Sequence, residues 1–113
     1  CGRIVEPALA RSQLIGGMVW GIGQALFEES HVDRRNGRWL NADLGEALIP
    51  THADVPAIEV VMVEDDETAS HPLGMKGVSE IGVVGPAPAI ANAFFEATGK
   101  RVRSLPIMID KRL

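Results

Sequence analysis

The sequence predicts an α+β domain in which two main helices pack on a small mixed β-sheet. Three observations carry the prediction. Apolar residues recur at helical spacing in two separate stretches, 10–30 and 86–98. Between them, residues 57–64 alternate apolar and mixed positions, the period of a strand. The turn pair Asn36-Gly37 and seven prolines divide the remainder into short pieces.

Taken in order, Arg3-Ile4-Val5 reads as a short strand broken by Pro7. Ala10 to about Ser30 reads as the first long helix, capped by Ser12, with Leu14, Met18, Ile22, Ala25 and Leu26 on one face. Gly16, Gly17, Gly21 and Gly23 lie inside it, and each costs about 1 kcal/mol against alanine. Four such residues imply close approach by another helix, a strand or a ligand. The pattern is no dinucleotide fingerprint, because the sixth position of GIGQAL is Leu26 and no strand leads directly in. It is no phosphate loop either, since no Gly-Lys-Ser/Thr follows.

The polar turn DRRNG comes next, then Arg38-Trp39-Leu40 as a short strand. Asp43 to His52 is irregular, with Pro50 barring a regular helix. Ala57 to Glu64 is the clearest strand, its apolar face made by Ile58, Val60 and Met62. Asp65, Asp66 and Glu67 form an acidic, solvent-facing turn. In the second helix Gly85 is a tolerated N-cap and Pro86 suits the first helical position. Ala87, Ile90, Ala91, Phe94 and Phe95 share a face, and Gly99 is the left-handed stop before Lys100 and Arg101. Val102 and Leu105 read as a brief last strand, and Pro106 to Leu113 as an extended tail.

Ahead of the second helix, Gly74, Gly77, Gly82 and Gly85 surround one carboxylate, Glu80. A glutamate in such a loop is ordinarily a solvated surface group. Here Val78, Ile81, Val83 and Val84 crowd it, and a carboxyl in apolar surroundings prefers its neutral form, which suits a general base. That permits catalysis without naming a reaction.

The 113 residues fit one small domain with a modest core. A net charge of −4 without a basic stripe argues against nucleic acid as the main partner; Lys100, Arg101 and Arg103, with Lys111 and Arg112, read as a helix terminus and a solvated tail. One cysteine makes no internal disulfide and leaves the compartment open. No apolar run is long enough to span a bilayer. The opening CGRIVEP has neither a leader pattern nor an initiator methionine, and is expected to follow an upstream portion. His31, His52 and His71 are far apart and Cys1 stands alone, so no metal-ligand set is visible. Ser79 with a histidine would be the minimum of a hydrolase site, but GVSEI lacks the closing glycine of a nucleophile elbow.

Three runs carry a resemblance: ARSQLIGGMVWGIGQALFEE, LNADLGEALIPTHADVPAIEVVMVE and KGVSEIGVVGPAPAIANAFFEATGKRVRSLPI. In order and with natural spacing, they resemble the C-terminal segment of the molybdopterin-binding large subunit of the xanthine dehydrogenase and aldehyde oxidase family. The wording LARSQLIGGMVWGIGQAL is nearest the bacterial aldehyde-oxidising branch. The resemblance covers nearly the whole of residues 1–113, as the C-terminal part of a larger molybdenum-binding domain.

In that family a glutamate in a Lys-x-x-Gly-Glu loop deprotonates the hydroxyl on molybdenum, which attacks an aldehyde or N-heterocycle. By resemblance Glu80 is that general base and Lys76 the lysine before it, with Ser79 in place of glycine and Ile81 in place of proline. Gln13 aligns with a glutamine at the molybdopterin, and Gly16 and Gly17 leave room for backbone to meet cofactor. The resemblance implies that the upstream part of the same subunit supplies most cofactor contacts. Iron–sulfur clusters and FAD would sit on partner domains or subunits. The isolated chain is then expected to be inactive and to self-associate, through the glycine-lined side of the first helix and Ile107-Met108-Ile109. Two other readings come from the residues alone: a non-catalytic binding or assembly module docking through the glycine-rich helix, or a small serine hydrolase at Ser79.

Overall fold

The longest element is α1, Pro7–Leu26. Pro7 opens it, because the first helical position needs no N–H, and the Glu6 carboxylate accepts the Ala8 N–H at 3.2 Å. This corrects two expectations: Ser12 lies inside the helix, and Arg3-Ile4-Val5 forms no strand. The helix also stops short of Ser30, since the Phe27 and Glu28 N–H groups both donate to the Gly23 carbonyl at 2.9 Å. The computed structural model describes residues 1–63, 65, 68, 69, 71–78 and 80–108. Glu64, Asp66, Glu67, Ser70, Ser79 and Ile109 to Leu113 lie outside these, and with them parts of the expected strand, acidic turn and tail and the serine of the hydrolase reading.

Along α1 the buried positions include Ala10, Gly17, Gly21 and Ala25, a single stripe at helical spacing. The larger Leu14, Met18, Ile22 and Leu26 are half-buried beside it. Small residues occupy the line of closest approach because backbone can pack there only where no side chain intervenes.

Two strands follow, β1 (Val32–Asp33) and β2 (Arg38–Trp39), paired antiparallel with Val32 opposite Trp39 and Asp33 opposite Arg38. Asp33 builds the turn. Its carboxylate accepts the Arg35 N–H at 2.9 Å and the Asn36 Nδ2 at 3.1 Å, while its carbonyl accepts the Gly37 N–H at 2.8 Å. Gly37 takes the positive φ, 71°, that the turn requires. The expected α+β content is present, but the layering differs. The sheet is antiparallel, and among the described residues neither helix packs on it. Strands of two residues offer no face for a helix to cover.

Residues 57–63 keep the predicted alternation, with Ile58, Val60 and Met62 half-buried and Ala57, Glu59, Val61 and Val63 exposed. They form no ladder, because a strand exists only with a partner at hydrogen-bonding distance. A 3₁₀ turn at Ile81–Val84 and helix α2, Pro86–Thr98, complete the elements. The stop of α2 is as expected: Gly99 has φ 70° and donates its N–H to the Phe95 carbonyl at 2.7 Å. Ala87, Ile90, Ala91 and Phe94 are half-buried, whereas Phe95 is 37% exposed. The Arg101 guanidinium lies 3.9 Å from the Phe95 ring centre and donates to Asn92 Oδ1 at 2.8 Å, clamping the outer face.

The last strand at Val102 and Leu105 is also absent. Instead Ile107, 1% exposed, donates its N–H to the Ala25 carbonyl at 2.6 Å and plugs the end of α1. Ile107 and three of the four α1 glycines, Gly17, Gly21 and Gly23, are therefore buried within this chain and are not the sticky surfaces expected, whereas Gly16 is exposed. Among the described residues the buried apolar side chains are Ala10, Ala25, Pro106 and Ile107, a smaller core than the length allows. The surface is correspondingly large: 8498 Å² for 12.1 kDa, where about 6,000 Å² is usual. The radius of gyration is 17.8 Å, against about 13 Å for a compact chain of this length.

Two outcomes are expected. Ile107→Ala should lower stability by about 2–5 kcal/mol, read as a fall in the urea midpoint; an unmoved midpoint would remove Ile107 from the core. The Asp33 carboxyl is held below its ordinary value of 3.8, first by the Arg35 side chain and then by the Arg35 N–H, with burial opposing. A depressed carboxyl contributes fully above 3.8 and loses its contribution as pH falls below that through the lowered value. The Arg35 amide resonance should follow this titration with a midpoint under 3.8. A midpoint at or above that value would contradict the turn's geometry.

Candidate functional site

The glycine stripe of α1 is covered by the 3₁₀ turn. A Cβ on Gly17 would stand 3.2 Å from both Gly82 Cα and Val83 N. One on Gly21 would stand 2.6 Å from the Val83 carbonyl oxygen and 2.8 Å from Pro86 Cγ. In the other direction, a Cβ on Gly82 would stand 2.6 Å from the Leu14 carbonyl oxygen. The close approach implied by these glycines is thus made by the loop that leads into α2.

Glu80 is the residue immediately before this turn. It has φ 59° and ψ −9°, a left-handed conformation that costs a non-glycine residue roughly 1–2 kcal/mol. Its carbonyl accepts the Val83 N–H at 2.9 Å, so Glu80 is tied into the seated turn. Its side chain is exposed. The apolar crowding expected around it is not formed among the described residues: Ile81 is 60% and Val84 71% exposed, and Val78 and Val83 are half-buried. Neighbours in sequence splay outward from a tight turn, so enclosure needs residues from another element.

The upstream end of the loop is pinned separately. Gly2 forms an antiparallel bridge with Met75, and the Arg3 N–H donates to the Gly74 carbonyl at 2.7 Å. Gly2 and Gly74 both have positive φ, 67° and 66°. Sequence reasoning missed this anchor; its trace was the β-prone Arg3-Ile4-Val5 with no neighbouring strand. A cleft of about 250 Å³ beside it is lined by Arg3, Ile4, Val5, Leu73 and Met75. That is under the ~300–1,000 Å³ of ordinary ligand pockets.

The other candidates fall in two places. Gln13, Gly16 and Gly17 stand at i, i+3 and i+4 on α1, and so share one side of the helix. Gln13 and Gly16 are exposed, with nothing within 4 Å of where a Gly16 Cβ would be, whereas Gly17 is buried beneath Gly82. The structure therefore unites α1 with the Glu80 loop through Gly17. Lys76 is exposed at the pinned end, its Nζ 3.8 Å from Asp65 Oδ2. An open backbone beside a side-chain amide fits a flat, hydrogen-bonding cofactor such as a pterin. Among the described residues no three His, Cys, Asp or Glu gather as a direct metal-ligand set. No helix there is long and apolar enough to cross a membrane.

Comparison with known proteins adds to this geometry. Residues 1–56 match the family model of the molybdopterin cofactor-binding domain. The chain is 49% identical over 112 residues to the aldehyde oxidoreductase molybdenum-binding subunit PaoC of Escherichia coli K12, covering 99% of this chain and 15% of that protein. It is 41% identical to the xanthine dehydrogenase molybdenum-binding subunit of Escherichia coli O157:H7, again over 99% of this chain and 15% of the relative. Among solved structures, the reconstituted CO dehydrogenase of Oligotropha carboxidovorans superposes with a TM-score of 0.85 at 25% identity, over 99% of this chain and 14% of that one. The chain thus spans about 15% of the length of the curated relatives it matches.

Proposed function

This chain belongs, as a segment, to the molybdenum-binding subunits of the xanthine dehydrogenase and aldehyde oxidase family, and we propose that it carries the subunit's general base, Glu80. The observation that supports this is Glu80's place: an exposed carboxylate in a left-handed backbone position, on a loop pinned to residues 2–3 at one end and seated on α1 at the other. A base needs to be held still while remaining accessible, and this arrangement does both. Gln13 and Gly16 form the exposed side of α1 that would meet the pterin, with Gln13 hydrogen-bonding and Gly16 admitting backbone contact; Gly17, expected there too, is instead taken up by the seat of the Glu80 loop. Lys76 would add a cation at the loop's start. When bound, molybdenum–molybdopterin supplies the two-electron oxidation of the substrate.

Glu80 accepts at a carboxylate oxygen the proton released as a water-derived oxygen adds to the substrate carbon. Ile81 and Val84, exposed here, exclude water from that carboxylate once the rest of the subunit covers them. The higher identity to an aldehyde oxidoreductase subunit, 49% against 41%, favours an aldehyde over an N-heterocycle. Iron–sulfur and FAD partners would carry the electrons away.

In the complete enzyme Glu80→Gln keeps size and shape but removes the proton acceptor. The limiting rate of reduction by aldehyde should fall by about 10²–10⁴-fold with molybdenum content near wild type. Glu46→Gln, on an exposed turn, should leave the rate within error. A wild-type rate in Glu80→Gln, or loss of its molybdenum, would remove Glu80 from this role. The isolated 113-residue chain, with its excess apolar surface, should hold no molybdenum, oxidise no aldehyde and sediment as dimers or larger species. Molybdenum near one per chain together with aldehyde oxidation would overturn that expectation.

A further inference from the structure

We infer that Gly17 is a positioning residue for Glu80: the absence of a side chain on α1 at this position sets the depth at which the 3₁₀ turn sits, and through it the place of the carboxylate. The inference rests on the reading of Glu80 as the base and adds to it a second residue, distant in sequence, that acts only through the first.

The geometry carries it. Gly17 faces Gly82 backbone to backbone, with 3.2 Å from a would-be Cβ to both Gly82 Cα and Val83 N. Val83 N–H is in turn bonded to the Glu80 carbonyl at 2.9 Å. One methyl group on α1 is therefore two contacts away from the Glu80 backbone. At 3.2 Å the methyl does not collide outright; it asks the turn to move by a few tenths of an ångström. Gly21 and Gly82 are less forgiving, at 2.6 Å from carbonyl oxygens of the opposing segment. Gly17 is thus the site where a graded displacement can be applied. Alanine is also the better helix former, so the substitution does not weaken α1 itself. A misplacement of about 1 Å in a reacting group costs on the order of 10²-fold, so a shift of tenths should cost about tenfold.

The test is a double-substitution cycle in the complete, cofactor-loaded enzyme, with benzaldehyde as reductant. Gly17→Ala should keep its molybdenum and its substrate dissociation constant while the limiting rate of reduction falls about tenfold. Introduced into Glu80→Gln, the same substitution should change the rate by less than about twofold, because a residue acting through Glu80 has nothing left to displace. Gly23→Ala adds a methyl on the same helix against the Glu28 carboxylate, whose side chain can swing away, and Pro50 at 3.1 Å, and should leave the rate at the wild-type value. A wild-type rate in Gly17→Ala overturns the inference. So does an equal loss in both backgrounds, an equal loss in Gly23→Ala, or a Gly17→Ala enzyme that fails to assemble with molybdenum, since each marks a merely structural glycine. A Glu80→Gln enzyme that reduces at the wild-type rate instead overturns the reading of the base itself.

Discussion

The contact between Gly17 and Gly82 is the constraint on which the rest of the arrangement depends. Two backbone segments meet with no side chain between them: a Cβ on Gly82 would strike the Leu14 carbonyl oxygen at 2.6 Å, and one on Gly17 would press on Gly82 and Val83 at 3.2 Å. Because the loop is seated there, Val83 and Pro86 come to rest over Gly21, and α2 begins from a defined place on α1. Because Val83 is bonded back to the Glu80 carbonyl, the carboxylate-bearing residue inherits the same placement. A larger residue at either glycine would lift the turn and everything attached to it.

Packing of this kind buries little apolar area. Glycine and alanine contribute few methyl groups, and at about 25 cal/mol per Å² such a stripe yields far less than a core of leucines. Ile107, docked on the Ala25 carbonyl, is the one large side chain fully buried among the described residues. The consequence is the extended shape and the surface of 8498 Å². Trp20, Trp39, Leu40, Leu44 and Val61 remain exposed. The apolar groups that fail to enclose Glu80 belong to the same account: among the described residues nothing covers Ile81 and Val84, which stay exposed.

The candidate site's placement was legible in part. Glu80 stood out as the single acid in a glycine-rich loop, and the glycines of α1 announced a close approach without saying by what. The anchor at Gly2 and Arg3 left almost no trace, since one bridge needs no run of β-formers. Pro7 misled because a proline that ends a strand and one that opens a helix are the same residue; only the Glu6 cap distinguishes them.

What the sequence by itself determined is what local chemistry decides. Pro86 and Gly99 delimit α2 because a fixed φ and a left-handed stop act within a few residues. Asn36-Gly37 closes the hairpin for the same reason. The alternation over residues 57–63 was readable too, but whether it becomes a strand was not, because pairing is a property of two segments. Only the tertiary structure decided that the small residues of α1, not the large ones, form its buried stripe. It alone seated Gly82 on Gly17 and drew Ile107 onto Ala25, 65 and 82 positions apart in the chain. Such contacts depend on which backbones come close enough to exclude a methyl group, and no window of neighbouring residues contains that information.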